Sequence, residues 1–259
     1  MNTPLSHANS RVKEARKLSR RSVRTERRLF LADGPKAVEG ALSVPDCVVE
    51  VFATVRAADE HAQLLADAPQ VWLVEDRAME SLSDSVTPAG VVAVCRFLDV
   101  PLSDVLARSP RLLTVCADVR DPGNAGTVIR TSDAAGAAAV VLAGHSVDPY
   151  NPKTVRATVG SLFHLPVVIA TDPGEVVSEL RSAGLRVLAA DGGGERDLFE
   201  VDLTPPTAWL LGNEAWGLPD ELAGLADERV AIPIHGRAES LNLATAAAVC
   251  LYASARAHR

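Results

Sequence analysis

The feature that most constrains the fold of this chain is a strand–turn–helix–strand pattern near its middle. Two apolar, strand-like runs at 112–117 and 139–142 flank a glycine-containing turn and a helical pattern. Such a βαβ unit belongs to a parallel sheet and brings its first turn to the carboxyl edge, where ligands usually bind. The turn has the sequence Asp121-Pro122-Gly123-Asn124-Ala125-Gly126. Its glycines let a backbone approach closely, and Asn124 and Arg130 add polar side chains, so we expect a donor-rich, cationic site there.

The apolar runs that follow predict that this sheet is large. After a linker expected at 98–110, strands are expected at 112–117, 139–142, 166–170, 185–190, 207–211 and 230–234. Helical patterns separate most of them, and an Ala-rich helical pattern occupies 242–258. Continuous apolar strands are typical of a parallel sheet that is covered on both faces. We therefore predict an α/β domain over residues 111–259.

A smaller α/β domain is predicted ahead of the linker, over residues 1–97. Its strands are expected at 29–32, 48–53, 71–74 and 91–96, and its helices at 10–22, 35–43, 57–67 and 77–83. The segment 20–28 is so polar that we expect a loop or a mobile arm there.

The charge of the chain is unevenly distributed. Residues 11–28 contain nine basic and two acidic side chains, a net charge of +7, whereas the other residues together carry −14 and the whole chain −7. This segment, which we call the basic arm, predicts binding to a polyanion. The alternative interpretation is a solvated helix face whose charges form salt bridges. The basic residues of the arm are Arg11, Lys13, Arg16, Lys17, Arg20, Arg21, Arg24, Arg27 and Arg28. Lys153 and Arg156, which follow the 139–142 strand, add further donors.

Composition excludes several classes of protein. No apolar run reaches the roughly 18 residues of a membrane-spanning helix, and the start of the chain lacks the pattern of a signal peptide. The four cysteines are far apart in apolar stretches, so we expect buried free thiols in the cytoplasm and neither a disulfide frame nor a metal site. The run 192–194 is glycine only, without the G-x-G-x-x-G frame, which disfavours a dinucleotide-dependent oxidoreductase.

Two later loops add polar side chains after strands of the same sheet. The first is Leu211-Gly212-Asn213-Glu214-Ala215-Trp216-Gly217-Leu218, and the second includes Ile232-Pro233-Ile234 and Glu239-Ser240-Leu241-Asn242. Each residue has a structural alternative: Asn124 as a turn residue, Arg130 as a helix surface residue, Glu214 as a first-turn acid and Ser240 as a helix cap. Because all three loops follow strands, we expect them to meet at one edge of the sheet.

Together the three motifs resemble those of the SpoU (TrmH-like) RNA 2'-O-ribose methyltransferases of the SPOUT superfamily. The resemblance covers about 111–258, with the motifs in the family's order. The preceding unit, with Phe30-Leu31-Ala32-Asp33-Gly34-Pro35, is similar to the small domain that binds RNA in ribosomal-RNA members and is related to certain ribosomal proteins.

The resemblance implies a parallel sheet with a deep trefoil knot, S-adenosylmethionine as the cofactor, and a homodimer formed through the terminal helix. The implied cofactor-binding residues are Leu211, Gly212, Gly217, Ile232, Leu241, Ala190 and Asp191. The implied catalytic residues are Arg130, Asn124, Glu214, Ser240 and Asn242.

The implied reaction moves a methyl group to a ribose 2'-hydroxyl. A guanidinium is a poor base at neutral pH, so we expect Arg130 to stabilise developing negative charge on the hydroxyl or the adjacent phosphate. Asn124 would orient the ribose or Arg130, and Glu214 would hold Arg130 by a charge-assisted bond. The substrate expected from the extra domain is 23S ribosomal RNA. The alternatives are transfer RNA, or a non-catalytic RNA-binding assembly factor of the same fold.

Overall fold

A computed structural model describes residues 3–259 and divides into two compact units. The N-terminal unit contains residues 3–98 together with 150–164, and the C-terminal unit contains 99–149 together with 165–259. The segment 150–164 thus groups with the first unit, although we expected it inside the 111–259 domain. The physical reason is aromatic packing: the fully buried Tyr150 ring lies 4.7 Å from the Phe30 ring and 3.9 Å from the Phe97 ring, centroid to centroid.

The N-terminal unit is built on a mixed four-stranded sheet. Up to residue 98 its elements are α1 (Ser10–Arg16), α2 (Arg21–Arg27), β1 (Leu29–Asp33), α3 (Pro35–Leu42), β2 (Val48–Thr54), α4 (Val55–Glu60), α5 (Ala62–Leu65), β3 (Val71–Val74), α6 (Asp76–Leu82) and β4 (Val91–Arg96). The strand order is β1-β4-β2-β3, with β2 and β3 parallel and the other pairs antiparallel. All four predicted strands are present.

Residues 20–28 of the basic arm, where we expected a loop or a mobile arm, instead form helix α2 (Arg21–Arg27), so that prediction is wrong. A single turn of tight helix at Lys17–Ser19 joins α1 to α2. Arg24 is only 2% exposed, and its guanidinium donates to the carbonyls of Leu18 (2.9 Å) and Ser19 (2.8 Å). Buried cationic side chains need such partners, and here the end of the preceding turn supplies them.

The C-terminal unit is built on a seven-stranded sheet. All pairs of adjacent strands in this sheet are parallel, as the apolar runs predict. From residue 99 the elements are α7 (Leu102–Leu106), β5 (Leu112–Ala117), α8 (Pro122–Ala135), β6 (Ala139–Ala143), α9 (Pro152–Thr158, in the N-terminal unit), β7 (Val167–Ala170), α10 (Pro173–Ser182), β8 (Arg186–Ala190), β9 (Arg196–Asp197), β10 (Thr207–Leu211), α11 (Asp220–Ala223), β11 (Glu228–Ala231) and α12 (Leu243–Ala257). The strand order is β7-β6-β5-β10-β8-β11-β9. The short strand β9 was not predicted.

The predicted linker contains structure of its own. Helix α7 lies within 98–110, and its Leu102 and Val105 are buried in the core of the C-terminal unit. The two prolines that suggested a linker instead bracket this helix, since Pro101 is its N-cap and Pro110 follows it. Proline is tolerated at the start of a helix and outside it but not in its interior, so the two prolines lie at either side of α7.

Helices α8 and α12 pack against each other over the central strands and position the functional loops. Helix α8 begins at Pro122, so the predicted glycine turn is its first turn; the Asp121 carboxylate caps it by accepting from the Asn124 N–H at 2.7 Å. Inside the packed layer, the Trp209 indole N–H donates to Ser254 Oγ at 2.9 Å, which ties α12 to β10. Among residues 3–259, no helix is long and apolar enough to cross a membrane.

Candidate functional site

The three loops meet at the carboxyl edge of the parallel sheet, as we expected from their places after β5, β10 and β11. Asn124 is the central residue. Its Nδ2 lies 3.4 Å from Glu214 Oε1, and its Oδ1 accepts from Asn242 Nδ2 at 3.1 Å. Side-chain hydrogen bonds therefore join the three motifs through Glu214, Asn124 and Asn242. We call these three residues the polar relay.

Glu214 anchors the polar relay to the backbone at the start of α8. Its carboxylate accepts from the backbone N–H of Arg120 at 3.2 Å and of Asp121 at 3.0 Å. Within residues 3–259 of one chain, Glu214 forms no bond to Arg130, so the expected bond is not made inside a single chain. Arg130 lies six residues beyond Asn124 on α8, about 9 Å along the axis, where its exposed side chain has no hydrogen bond or ion pair with any residue of 3–259.

Asn213 is a site residue that sequence reasoning missed. It is 6% exposed; its Nδ2 donates to the Asp118 carbonyl at 2.7 Å, and its Oδ1 accepts from the Ala215 N–H at 2.8 Å. It thereby holds the Glu214 loop against the end of β5. Its position between the motif residues Gly212 and Glu214 was the available signal.

Close backbone packing explains the two glycines of this loop. The backbones of Asn213 and Gly217 exchange N–H···O bonds of 2.9 Å each. A Cβ atom on Gly212 would lie 2.3 Å from the Gly217 carbonyl carbon, well inside any real contact, and Gly217 has a φ of +71°. Gly212 therefore has no room for a side chain, and Gly217 adopts a backbone conformation that favours glycine.

Asn242 both caps α12 and takes part in the polar relay. Its Oδ1 accepts from the N–H groups of Ala244 (2.9 Å) and Thr245 (3.3 Å), which are otherwise unsatisfied at a helix start. Ser240, the cap considered from sequence, is not the cap; it lies exposed in the preceding loop.

A cavity of about 520 Å³ lies beside the polar relay. Six of the seven residues predicted to bind a cofactor line it: Ala190, Asp191, Gly212, Gly217, Ile232 and Leu241. Leu211 does not; it is 1% exposed because it belongs to β10 and points into the packed layers. Glu214 and Ser240, which we predicted to be catalytic, also line the cavity, as does Glu239.

The charge of this cavity favours a cationic ligand. Its ionisable lining residues are Asp191, Glu214 and Glu239, and no basic residue lines it in the described part of the chain. Burial opposes ionisation of Asp191, but the Gly193 N–H and the Arg229 guanidinium, bound at 2.9 Å and 2.7 Å, outweigh it and lower the pKa of this carboxyl. Apolar walls from Ile232 and Leu241 add a surface for a flat, uncharged group.

The basic arm divides into paired and unpaired cations. Arg11 pairs with Glu50 at 2.6 Å, Arg27 pairs with Glu14 at 2.5 Å, and the Arg28 guanidinium lies 4.6 Å from the Phe97 ring centroid. The bonds from Lys17 and Arg27 lower the pKa of Glu14 to about 2. In the part of the chain that the structure describes, four exposed cations form no ion pair: Lys13, Arg16, Arg20 and Arg21. Three of these four line a groove of about 310 Å³.

The other predicted RNA contacts differ in their availability. Arg24 cannot contact RNA as predicted, because its buried guanidinium is held by backbone carbonyls. Arg156 is committed to Asp84 (3.4 Å) and Asp33 (3.8 Å) within the N-terminal unit. Lys153 is exposed, with no ion pair recorded along residues 3–259.

Comparison with known proteins is consistent with this geometry. The model of the SpoU rRNA Methylase family matches residues 111–252, and that of the MRM3-like substrate binding domain matches 9–93. The chain is similar to the 23S rRNA (guanosine(2553)-2'-O)-methyltransferase RlmP of Bacillus subtilis (strain 168), with 35% identity over 94% of this chain and 95% of that protein.

Two further similarities extend this result. A 23S rRNA (uridine(2479)-2'-O)-methyltransferase of Streptomyces viridochromogenes is 40% identical over 72% of this chain and 67% of that protein. The crystal structure of an AdoMet-bound rRNA methyltransferase from Sinorhizobium meliloti matches with a TM-score of 0.87 and 34% identity, over 98% of this chain and 97% of that chain.

Proposed function

Because this chain belongs to the SpoU rRNA methylase family, we propose that it methylates a ribose 2'-hydroxyl of 23S ribosomal RNA, with S-adenosylmethionine as the methyl donor. The observation that carries the proposal is the polar relay of Glu214, Asn124 and Asn242 beside the acidic cavity. The similar proteins of Bacillus subtilis and Streptomyces viridochromogenes are 23S ribosomal RNA methyltransferases, which favours that substrate over transfer RNA. With ribosomal RNA as its substrate, the protein is expected to work in the cytoplasm.

The cavity suits S-adenosylmethionine in size and in charge. Pockets for ligands of this size usually measure about 300–1,000 Å³, and the cavity measures about 520 Å³. The donor has a sulfonium and an ammonium group, which complement the carboxylates of Asp191, Glu214 and Glu239. Ile232 and Leu241 would contact its adenine, and Gly212 and Gly217 would leave room for it. When bound there, it supplies an electrophilic methyl group.

The chain's own residues would position and stabilise the ribose oxygen. Asn124 and Asn242 hold one another at 3.1 Å and present an ordered amide surface to the nucleotide. Arg130 would contact the 2'-oxygen or the adjacent phosphate and stabilise the negative charge that develops as the hydroxyl proton leaves to solvent. Ser240 would hold the target nucleotide from the cavity rim.

The separation of Arg130 from the polar relay supports a site shared between two chains. Arg130 does not line the cavity and does not bond to Glu214, Asn124 or Asn242. A homodimer formed through α12 would bring the Arg130 of one protomer to the cavity of its partner. The exposed Tyr252 (53%) on α12 supports an interface there.

A deep trefoil knot, as in the family, would form the cavity wall. The route of the chain supports this proposal. Strand β11 lies beside β8, on the side away from β10. After β11 the chain returns to α12, which packs on the central strand β10. On this return it runs past the loops that follow β8 and β10, and residues of all three segments line the cavity.

The N-terminal unit would bind the RNA through the unpaired cations of the basic arm. Replacing Arg20 and Arg21 with glutamine is expected to weaken RNA binding and to make the logarithmic salt dependence of the affinity less steep by about 1–2 units, since each phosphate contact contributes about 0.7–0.9. The matched control replaces Arg56 and Arg77, exposed cations elsewhere in the unit, with glutamine. Filter binding of 23S rRNA over a salt series measures the slopes, and equal slopes in both variants would contradict the arm's role.

Asn242 offers a test that separates folding from function. Asn242→Asp keeps a good helix cap but loses the amide donor to Asn124, so we expect a wild-type melting temperature with methyl transfer reduced by at least about tenfold. Asn242→Ala loses both contacts, and we expect a further cost of about 1 kcal/mol in stability. Full activity in the Asn242→Asp protein would show that the polar relay has no part in transfer.

The function itself is tested by transfer of tritiated methyl groups from S-adenosylmethionine to an unmodified 23S rRNA transcript, with transfer RNA as the comparison. Ribose methylation makes the adjacent phosphodiester resistant to alkali, so the modified nucleotide can be mapped in the same product. Incorporation into 23S rRNA alone is the expected result. Binding without incorporation would instead identify a non-catalytic assembly factor.

A further inference from the structure

An exposed tryptophan stands next to the polar relay without a role in the site described above. Trp216 is 55% exposed and lies two residues after Glu214. The other two tryptophans are engaged: Trp209 is fully buried, and the Trp72 indole donates to Glu50 at 2.9 Å. Within residues 3–259, the Trp216 N–H has no hydrogen-bond partner. Its exposed ring leaves an apolar face that a ligand can cover.

Trp216 is nevertheless held in a defined place. Both flanks of its loop are hydrogen-bonded: the Ala215 N–H donates to Asn213 Oδ1 at 2.8 Å, and Gly217 exchanges backbone bonds with Asn213. The Arg120 guanidinium lies 5.1 Å from the centroid of the ring, within the range of a cation–π contact. The backbone of Arg120 is itself bound by Glu214 at 3.2 Å. Arg120 is therefore linked to Glu214 by a hydrogen bond, and Trp216 lies on the same loop as Glu214, two residues further on.

The chemistry of this pair is that of a nucleotide-binding surface. Single-stranded RNA is bound by stacking splayed bases on aromatic rings and guanidinium planes, with nearby cations for the phosphates. Neither Trp216 nor Arg120 lines the acidic cavity, so the ring is not placed to stack on the adenine of the methyl donor. An RNA whose ribose reaches the polar relay would present its neighbouring bases at this surface.

Resting on the proposed function, we propose that Trp216 is a stacking platform for an unpaired base of the RNA substrate, next to the methylated ribose. Arg120 supports the ring and contacts the adjoining phosphate. The platform selects RNA in which the target region is single-stranded, because a paired base cannot reach the ring.

The test is steady-state methyl transfer to unmodified 23S rRNA by Trp216→Leu and Trp216→Phe. Removing a base–aromatic stack costs about 1–3 kcal/mol, so Trp216→Leu should raise the KM for RNA by about 5- to 150-fold and leave the KM for S-adenosylmethionine unchanged. Trp216→Phe keeps a ring and should retain most of the RNA affinity. The matched control is Phe199→Leu, which changes another exposed ring (70%) on a loop outside the cavity lining.

Three results would overturn the platform. The first is an unchanged KM for RNA in Trp216→Leu while the wild-type protein methylates 23S rRNA, which leaves the proposed function standing. The second is a change of oligomeric state in Trp216→Leu by sedimentation velocity, which would make the ring a subunit contact. The third applies if the wild-type protein transfers no methyl group, in which case the proposed function fails. Equal binding of 23S rRNA by the wild-type and Trp216→Leu proteins would then overturn the platform.

Discussion

Replacing Arg130 with alanine is expected to lower methyl transfer by about 10²–10³-fold, the usual effect of removing one group that stabilises charge in a transition state. Affinity for S-adenosylmethionine should not change, because Arg130 does not line the cavity of its own chain and its proposed contact is with the ribose oxygen or the adjacent phosphate. Stability should also stay the same, since the exposed side chain forms no bond within the described chain. Arg130→Lys keeps the charge but not the planar fork of donors, so an intermediate rate is expected.

Single-turnover transfer to 23S rRNA, with cofactor affinity measured by calorimetry, checks this prediction. A matched control is Arg108→Ala, an exposed arginine elsewhere in the C-terminal unit. A wild-type rate of methyl transfer in Arg130→Ala would show that Arg130 is not a catalytic residue.

Replacing Gly212 with alanine is expected to abolish cofactor binding and to lower the melting temperature. The new Cβ would lie 2.3 Å and 2.4 Å from the carbonyl carbon and oxygen of Gly217, and 2.5 Å from the Leu218 nitrogen. These are backbone atoms, so the loop that carries Glu214 must move. Overpacking of this kind costs about 1–3 kcal/mol, and the displaced loop forms one wall of the cavity.

Gly236→Ala is the control for this substitution, because a Cβ there meets no atom within 4 Å. It should bind S-adenosylmethionine and melt as the wild-type protein does. Unimpaired cofactor binding by Gly212→Ala would show that the backbone contact between Gly212 and Gly217 is not needed to form the cavity.

The two variants together test whether the site is shared across a dimer. In a mixed dimer of Arg130→Ala and Gly212→Ala chains, a shared site pairs the intact cavity of the first chain with the intact arginine of the second. Mixing the two inactive proteins under exchange conditions should therefore restore activity. If each chain uses its own Arg130, every site keeps one defect and no activity returns.

Local patterns in the sequence predicted the elements well and the partners of long side chains poorly. The parallel strands follow from continuous apolar runs, which depend only on neighbouring residues. By contrast, Asn124 meets Glu214 and Asn242 at sequence separations of 90 and 118 residues. Burial of Arg24 likewise depends on the carbonyls at the end of the preceding turn, which charge patterning alone cannot reveal.

The sequence by itself determined the family, the parallel sheet and the three loops at its edge, because these rest on periodicity and on motifs of fixed spacing. Only the tertiary structure decided that Glu214 anchors Asn124 instead of Arg130, and that Leu211 is core while Ile232 and Leu241 line the cavity. It also decided which cations of the basic arm are unpaired. The physical reason is that each of these outcomes depends on a hydrogen bond or a packing contact between distant parts of the chain, and such contacts exist only once the sheet has brought those parts together.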